Sequence, residues 1–191
     1  ESIHEQLDLV SNIEHTLLPM PDSIPRSIIL VRMQHAPTLW TALSAHTFCI
    51  ANYHWSNYDI LAGIAWVGKE GSEEFLPQSL NLDLIGGLSF EKGCYPGQEI
   101  IARMHFRGKL KQRLFLARVF IPEPPPVKTK LLTPGVSKHV GMVVNTYMQK
   151  EDGCLMLVVL DLELGEQPPI TLGEDKGPVL KLESLPYSLR S

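Results

Sequence analysis

No cysteine in this sequence has a neighbour to work with. The three present, Cys49, Cys94 and Cys154, are far apart and include no Cys-x-x-Cys pair, so the chain cannot by itself build a four-cysteine zinc or iron–sulfur site. Reduced thiols are the expected state. Long apolar runs are also missing, which excludes a helical membrane span, and the first residues lack the basic-then-apolar layout of a signal peptide, so a cytoplasmic chain is expected. The seven histidines are scattered, and none forms the i, i+4 pair of a helical metal site. Neither a Ser-His-Asp order, a Walker loop nor a Gly-x-Gly-x-x-Gly fingerprint appears.

What is there is 191 residues, 44% hydrophobic, with a net charge of -4, enough for one good-sized domain or two small ones. Ile3, Leu7, Val10, Ile13 and Leu17 recur every three to four residues, which predicts an amphipathic helix over Ile3 to Leu18, stopped by Pro19-Met20-Pro21. Ser27 to Arg32 reads as a strand, Thr38 to Ala45 as a helix, and Phe48 to Asn52 as a further strand. A short helix is predicted between Trp55 and Trp66, ending near Gly63 or Gly68, and residues 71–87 read mostly as loop, with Glu73 and Glu74 solvated there. Another helix is predicted from Pro96 through Gln98 to His105, closed by Gly108. This alternation indicates an α+β or split βαβ arrangement rather than a helical bundle.

Beyond Gly108 the texture becomes β. Leu110 to Phe120, Val140 to Met148 and Leu155 to Leu160 are strand-like runs, with a last one near Pro178 to Leu182. Turns separate them, including the hairpin signal Asp152-Gly153 and the proline cluster over 122–126. Short strands at this spacing predict a small antiparallel barrel or sandwich. The expected division is 1–107 for the α+β portion and 108–191 for the β portion.

One segment carries chemistry. In Phe90-Glu91-Lys92-Gly93-Cys94-Tyr95-Pro96-Gly97-Gln98-Glu99 a cysteine lies between two glycines, just ahead of a predicted helix start. The helix dipole and Lys92 both favour an anion there, hence a thiolate, the form that attacks disulfides, binds metals and is oxidised. The competing reading is a small buried hydrophobe. For Cys49, in an apolar Phe48-Cys49-Ile50, and for Cys154, opening a strand, the structural reading is preferred.

A positive stretch follows. Between Glu99 and Glu123 there is no acidic residue, whereas Arg103, Arg107, Lys109, Lys111, Arg113 and Arg118, six of the 17 basic residues, lie there. In an acidic chain this suits phosphate, a polyglutamate tail or nucleic acid, including a weak RNA contact through Arg103 to Arg118. A solvated strand face with snorkelling side chains is the alternative. Arg103 and Arg107, four apart on one helix face, are the better candidates for an anion.

Phe75-Leu76-Pro77-Gln78, Asn81-Leu82, Gly86-Gly87-Leu88-Ser89-Phe90, Lys92-Gly93-Cys94-Tyr95, Gly97-Gln98-Glu99, Ala102-Arg103 and Arg107-Gly108 together resemble the signature of the bacterial YgfZ proteins, a branch of the aminomethyltransferase-like superfamily. Leu185-Pro186-Tyr187-Ser188-Leu189 resembles that family's ending. The resemblance implies a partial folate-binding α+β domain followed by a small antiparallel β-barrel, within a three-domain cloverleaf whose central channel binds tetrahydrofolate. It implies an accessory role rather than an enzyme's, supporting assembly or repair of iron–sulfur enzymes, including those that methylthiolate tRNA. By the same resemblance Cys94 is the functional thiol. Folate is expected at Trp55, which precedes the motif by about forty residues, and at Lys92, Tyr95, Gln98, Glu99 and Arg103, Trp55 stacking on a pterin or aminobenzoyl ring. Where many relatives have a carboxylate suited to the pterin, this chain has Leu61. The family's N-terminal region has no counterpart before Glu1, and the residues present resemble the C-terminal three-fifths of those proteins.

Two other functions compete. An aminomethyltransferase of glycine cleavage would need the family's aspartate-bearing segment, which has no counterpart in this chain. A direct tRNA-binding module would use the basic stretch, with strong salt dependence.

Overall fold

The computed structural model describes residues 14–20, 24–135, 138–164 and 169–189, and the chain divides into two compact units, Glu1–Trp55 and Ser56–Ser191. In the first, strands β1 (His15–Pro19) and β2 (Ser27–Val31) pair antiparallel from His15↔Val31 to Pro19↔Ser27. A 3-10 turn at Met33–His35 leads into helix α1 (Ala36–Ser44), with Pro37 in its first turn, where a missing N–H costs nothing.

Two expectations for this unit are corrected. Residues 3–13 of the predicted N-terminal helix lie outside the described residues, but 15–18 form β1. Pairing with the β-branched run Ser27–Val31 outweighs a helical period resting there on Leu17 alone. Residues 48–50 are not a strand but an exposed stretch, with Phe48 97% and Ile50 60% accessible.

Helix α2 (Tyr53–Leu61) enters the second unit and is followed by Gly63, whose φ of 68° lets the chain reverse. Residues 69–71 and 77–80 form 3-10 turns within the predicted loop. Helix α3 (Gln98–Arg107) precedes the sheet strands β3 (Gln112–Val119), β4 (Lys130–Leu132), β5 (Gly141–Gln149), β6 (Gly153–Asp161), β7 (Thr171–Leu172) and β8 (Lys181–Glu183). They form one curled antiparallel sheet in the order β7-β4-β5-β6-β3-β8. Residues 178–180 bond to the β7 edge, through Leu172 N–H to Pro178 O and Leu180 N–H to Ile170 O, while 181–183 pair with β3. Residue 108 thus marks the passage from helix to sheet, and residues on both sides of it pack into one unit.

Strand β6 explains why the sheet is stable. Its sequence is apolar at consecutive positions because both faces are covered. Cys154, Met156, Val158 and Leu160 pack with Ala117, Leu131, Val143 and Leu180 on one face. Leu155, Leu157 and Val159 pack on the other, with Leu114, Leu116, Ile60 and Leu80. Burying each such side chain is worth roughly 1.5–3 kcal/mol. Gly141 is dictated by this pairing, since a Cβ there would lie 2.1 Å from the Val159 carbonyl oxygen.

Candidate functional site

The motif loop is held by its own residues. Gly97 immediately precedes α3 with φ 85°, a left-handed conformation that glycine adopts at little cost. The helix consequently starts at Gln98 rather than at Pro96. The Gln98 side-chain oxygen accepts the Tyr95 backbone N–H at 3.2 Å, and the Lys92 ammonium sits 4.8 Å from the centre of the Tyr95 ring. Between these anchored residues Cys94 is exposed and in no disulfide. The small-buried-hydrophobe reading of Cys94 is thereby excluded.

Of the residues predicted for the site, Lys92, Tyr95 and Gln98 are therefore brought together around Cys94. Glu99 and Arg103 are exposed on α3, Glu99 in the first turn, where the helix dipole favours a carboxylate. Trp55 belongs to the first unit, where the Arg26 guanidinium lies 4.6 Å from its ring centre. Leu61 packs against the apolar cluster of Ile60, Leu80 and Leu157. Cys154 is fully buried, and burial pushes its thiol pKa up. Cys49, expected to be structural and apolar in setting, is instead exposed, because the stretch around it joins neither sheet.

The basic stretch is only partly an open positive surface. Arg113 is buried, forms a bidentate pair with Asp83 at 2.6 and 2.9 Å, and donates to Gln78 O at 2.9 Å. Arg118 bonds Glu183 at 2.5 Å and Gln149 at 2.6 Å, and the Glu183 bond holds its pKa above the ordinary value. Both Arg113 and Arg118 are thereby removed from the expected anion surface. Arg103, Arg107, Lys109 and Lys111 remain exposed, and no carboxylate among the described residues pairs with them. The two lysines line a cleft of about 350 Å³ beside Met104, which Lys138 and Glu163 also border.

Two clusters escaped the sequence reading. Asn81, fully buried with φ 59°, donates to Leu114 O at 2.9 Å and to the Tyr187 hydroxyl at 3.3 Å, and accepts Leu114 N–H at 3.3 Å. Tyr187 in turn donates to Gly63 O at 2.8 Å. An asparagine closing a turn begun at Pro77 is the local sequence signal that could have marked it, since asparagine takes the left-handed region more readily than other side-chain-bearing residues. Gln78 donates to Ile101 O at 2.8 Å, which ties α3 to the same region. The second cluster is aromatic: Phe90 stacks on His105 at 3.9 Å, and Phe106 meets both rings edge-on at 6.2 and 4.8 Å.

No family model matches the chain. Among curated proteins it is similar to the tRNA-modifying protein YgfZ of Edwardsiella ictaluri, at 32% identity over 175 residues, 90% of this chain and 53% of that protein. The protein of the same name from Cronobacter sakazakii is 34% identical over 169 residues, covering 86% and 51%. That of Escherichia coli O127:H6 is 32% identical over 175 residues, covering 91% and 54%. The chain spans about half the length of the curated relatives it matches.

Proposed function

Since the chain belongs to the YgfZ family, we propose that it serves tRNA modification as an accessory factor whose working group is the Cys94 thiol. The observation that carries this is an exposed cysteine set between a Lys92–Tyr95 contact and a Tyr95–Gln98 hydrogen bond. A loop held at both ends presents its thiol at a fixed place, and an exposed thiol is open to sulfur exchange, oxidation or metal ligation. Such a group fits support of iron–sulfur enzymes that modify tRNA.

The ligand proposed for the whole protein is tetrahydrofolate, stacked on the Trp55 ring face that Arg26 does not cover. Its negatively charged tail calls for cations in the complete protein. Leu61, packed into an apolar cluster, offers the pterin no acceptor, so weaker or less selective binding follows than in relatives with a carboxylate there. The small β-rich portion, a curled six-stranded sheet, is read as the family's barrel.

The role is tested by expressing the complete gene with Cys94→Ala in a host lacking its own copy and measuring a dependent iron–sulfur enzyme. Loss of that activity with the melting midpoint unchanged within a few degrees is expected, because an exposed side chain contributes little to stability. Full restoration by Cys94→Ala would rule the thiol out.

A further inference from the structure

We propose that the outer face of α3 is an RNA-contact surface, on which an unpaired base stacks against Phe106 while Arg103 and Arg107 hold the flanking phosphates. The choice of RNA rests on the tRNA-modification reading above. The surface itself rests on geometry. Phe106 is 71% exposed and Ile100 56% exposed on a helix that buries none of its residues. Phe106 is fixed from the side by edge contacts to His105 and Phe90, themselves stacked at an interplanar angle of 17°. Arg103 precedes Phe106 by three residues and Arg107 by four, spacings that put their side chains on one helix face.

Charge identifies the occupant. Arg103 and Arg107 have no carboxylate partner among the described residues, in a chain whose net charge is -4. Glu99, one turn back, is the only acid on the helix and makes no ion pair with Arg103. An apolar protein partner would cover Ile100 and Phe106 without needing two uncompensated cations beside them, whereas a nucleic acid strand supplies an anion for each. An aromatic ring takes the face of an unpaired base, which a continuous duplex keeps stacked within itself.

Binding of the wild-type chain is measured by fluorescence anisotropy with two labelled RNAs, a hairpin with an unpaired loop and a fully paired duplex of the same length. The hairpin is expected to bind more tightly. Phe106→Ala should weaken hairpin binding by about tenfold or more and leave the duplex unchanged, with Phe106→Trp retaining affinity. Because Phe106 is exposed, its removal leaves the fold intact. Arg103→Gln combined with Arg107→Gln should weaken both RNAs and reduce the salt slope by about 0.7 for each lost phosphate contact. Equal affinity for hairpin and duplex, wild-type binding by Phe106→Ala, or no RNA binding at all would overturn the inference. Cys94→Ala should bind RNA normally, which separates the two readings. Loss of cellular function in Cys94→Ala without any RNA binding leaves the thiol role standing and this surface refuted, and RNA binding with full function in Cys94→Ala does the reverse.

Discussion

Cys94 and Cys49 face solvent while Cys154 lies inside the sheet, so native alkylation sorts the three thiols. Iodoacetamide at neutral pH is expected to label Cys94 and Cys49 on the folded protein and Cys154 only on unfolding. Mass spectrometry of the labelled peptides checks this, and labelling of Cys154 in the folded protein would contradict its burial. At Trp55, Arg26 already covers one ring face. Tetrahydrofolate added to the complete gene product should therefore quench tryptophan fluorescence from the opposite face, and Trp55→Ala should weaken binding by about tenfold through lost stacking and buried area. Unchanged quenching in Trp55→Ala would take that residue out of the site. At this scale the motif loop was legible, since glycines and a proline around one cysteine announce a turn before a helix. The engagement of Arg113 and Arg118 was not, because their partners Asp83 and Glu183 are 30 and 65 residues away.

Among the elements, β6 and its hairpin with β5 could be read directly: an unbroken apolar run after Asp152-Gly153 means a strand buried on both faces, with Gly153 at φ 78°. Helix α3 was legible within two residues of each end. The strands β1, β4 and β7 were missed, being two to five residues long and formed by pairing across the sheet rather than by local period. The segment 63–87 is fastened to β3 by Asn81, which contacts both the N–H and the carbonyl of Leu114 in the core. Asn81→Ala strands both groups and gives up the left-handed residue, so a loss of about 2–4 kcal/mol is expected. Thermal denaturation should show a midpoint lower by roughly 5–15 °C, and an unchanged midpoint would show that the fastening carries little.

On the scale of the whole molecule, no helix among the described residues is long and apolar enough to cross a membrane, and no group of three or more metal-ligating side chains is found among them. Stability has an alkaline limit built into the second unit. Burial raises the pKa of Cys154 and of Tyr187, so for both the protonated form belongs to the fold. Their contribution is complete below the unfolded values, about 8.5 for a thiol and about 10 for a phenol, and is lost as pH rises through the raised folded values. Melting midpoints should fall above about pH 8.5, and the fall should be smaller in Cys154→Ala and Tyr187→Phe. A midpoint that stays flat to pH 11 would contradict the burial of both groups. Of the function, the family was legible from the ordered motif, whereas the sequence could not show that the thiol at its centre would be exposed and the other apolar-flanked cysteine exposed as well. We propose that Cys94 alone among the three thiols serves tRNA modification. The most direct measurement of this is mass spectrometry of methylthiolated tRNA nucleosides from a host lacking its own copy and carrying Cys94→Ala, Cys49→Ala or Cys154→Ala. The expected result is loss of the modification with Cys94→Ala and retention with Cys49→Ala and Cys154→Ala; full modification with Cys94→Ala would contradict the account.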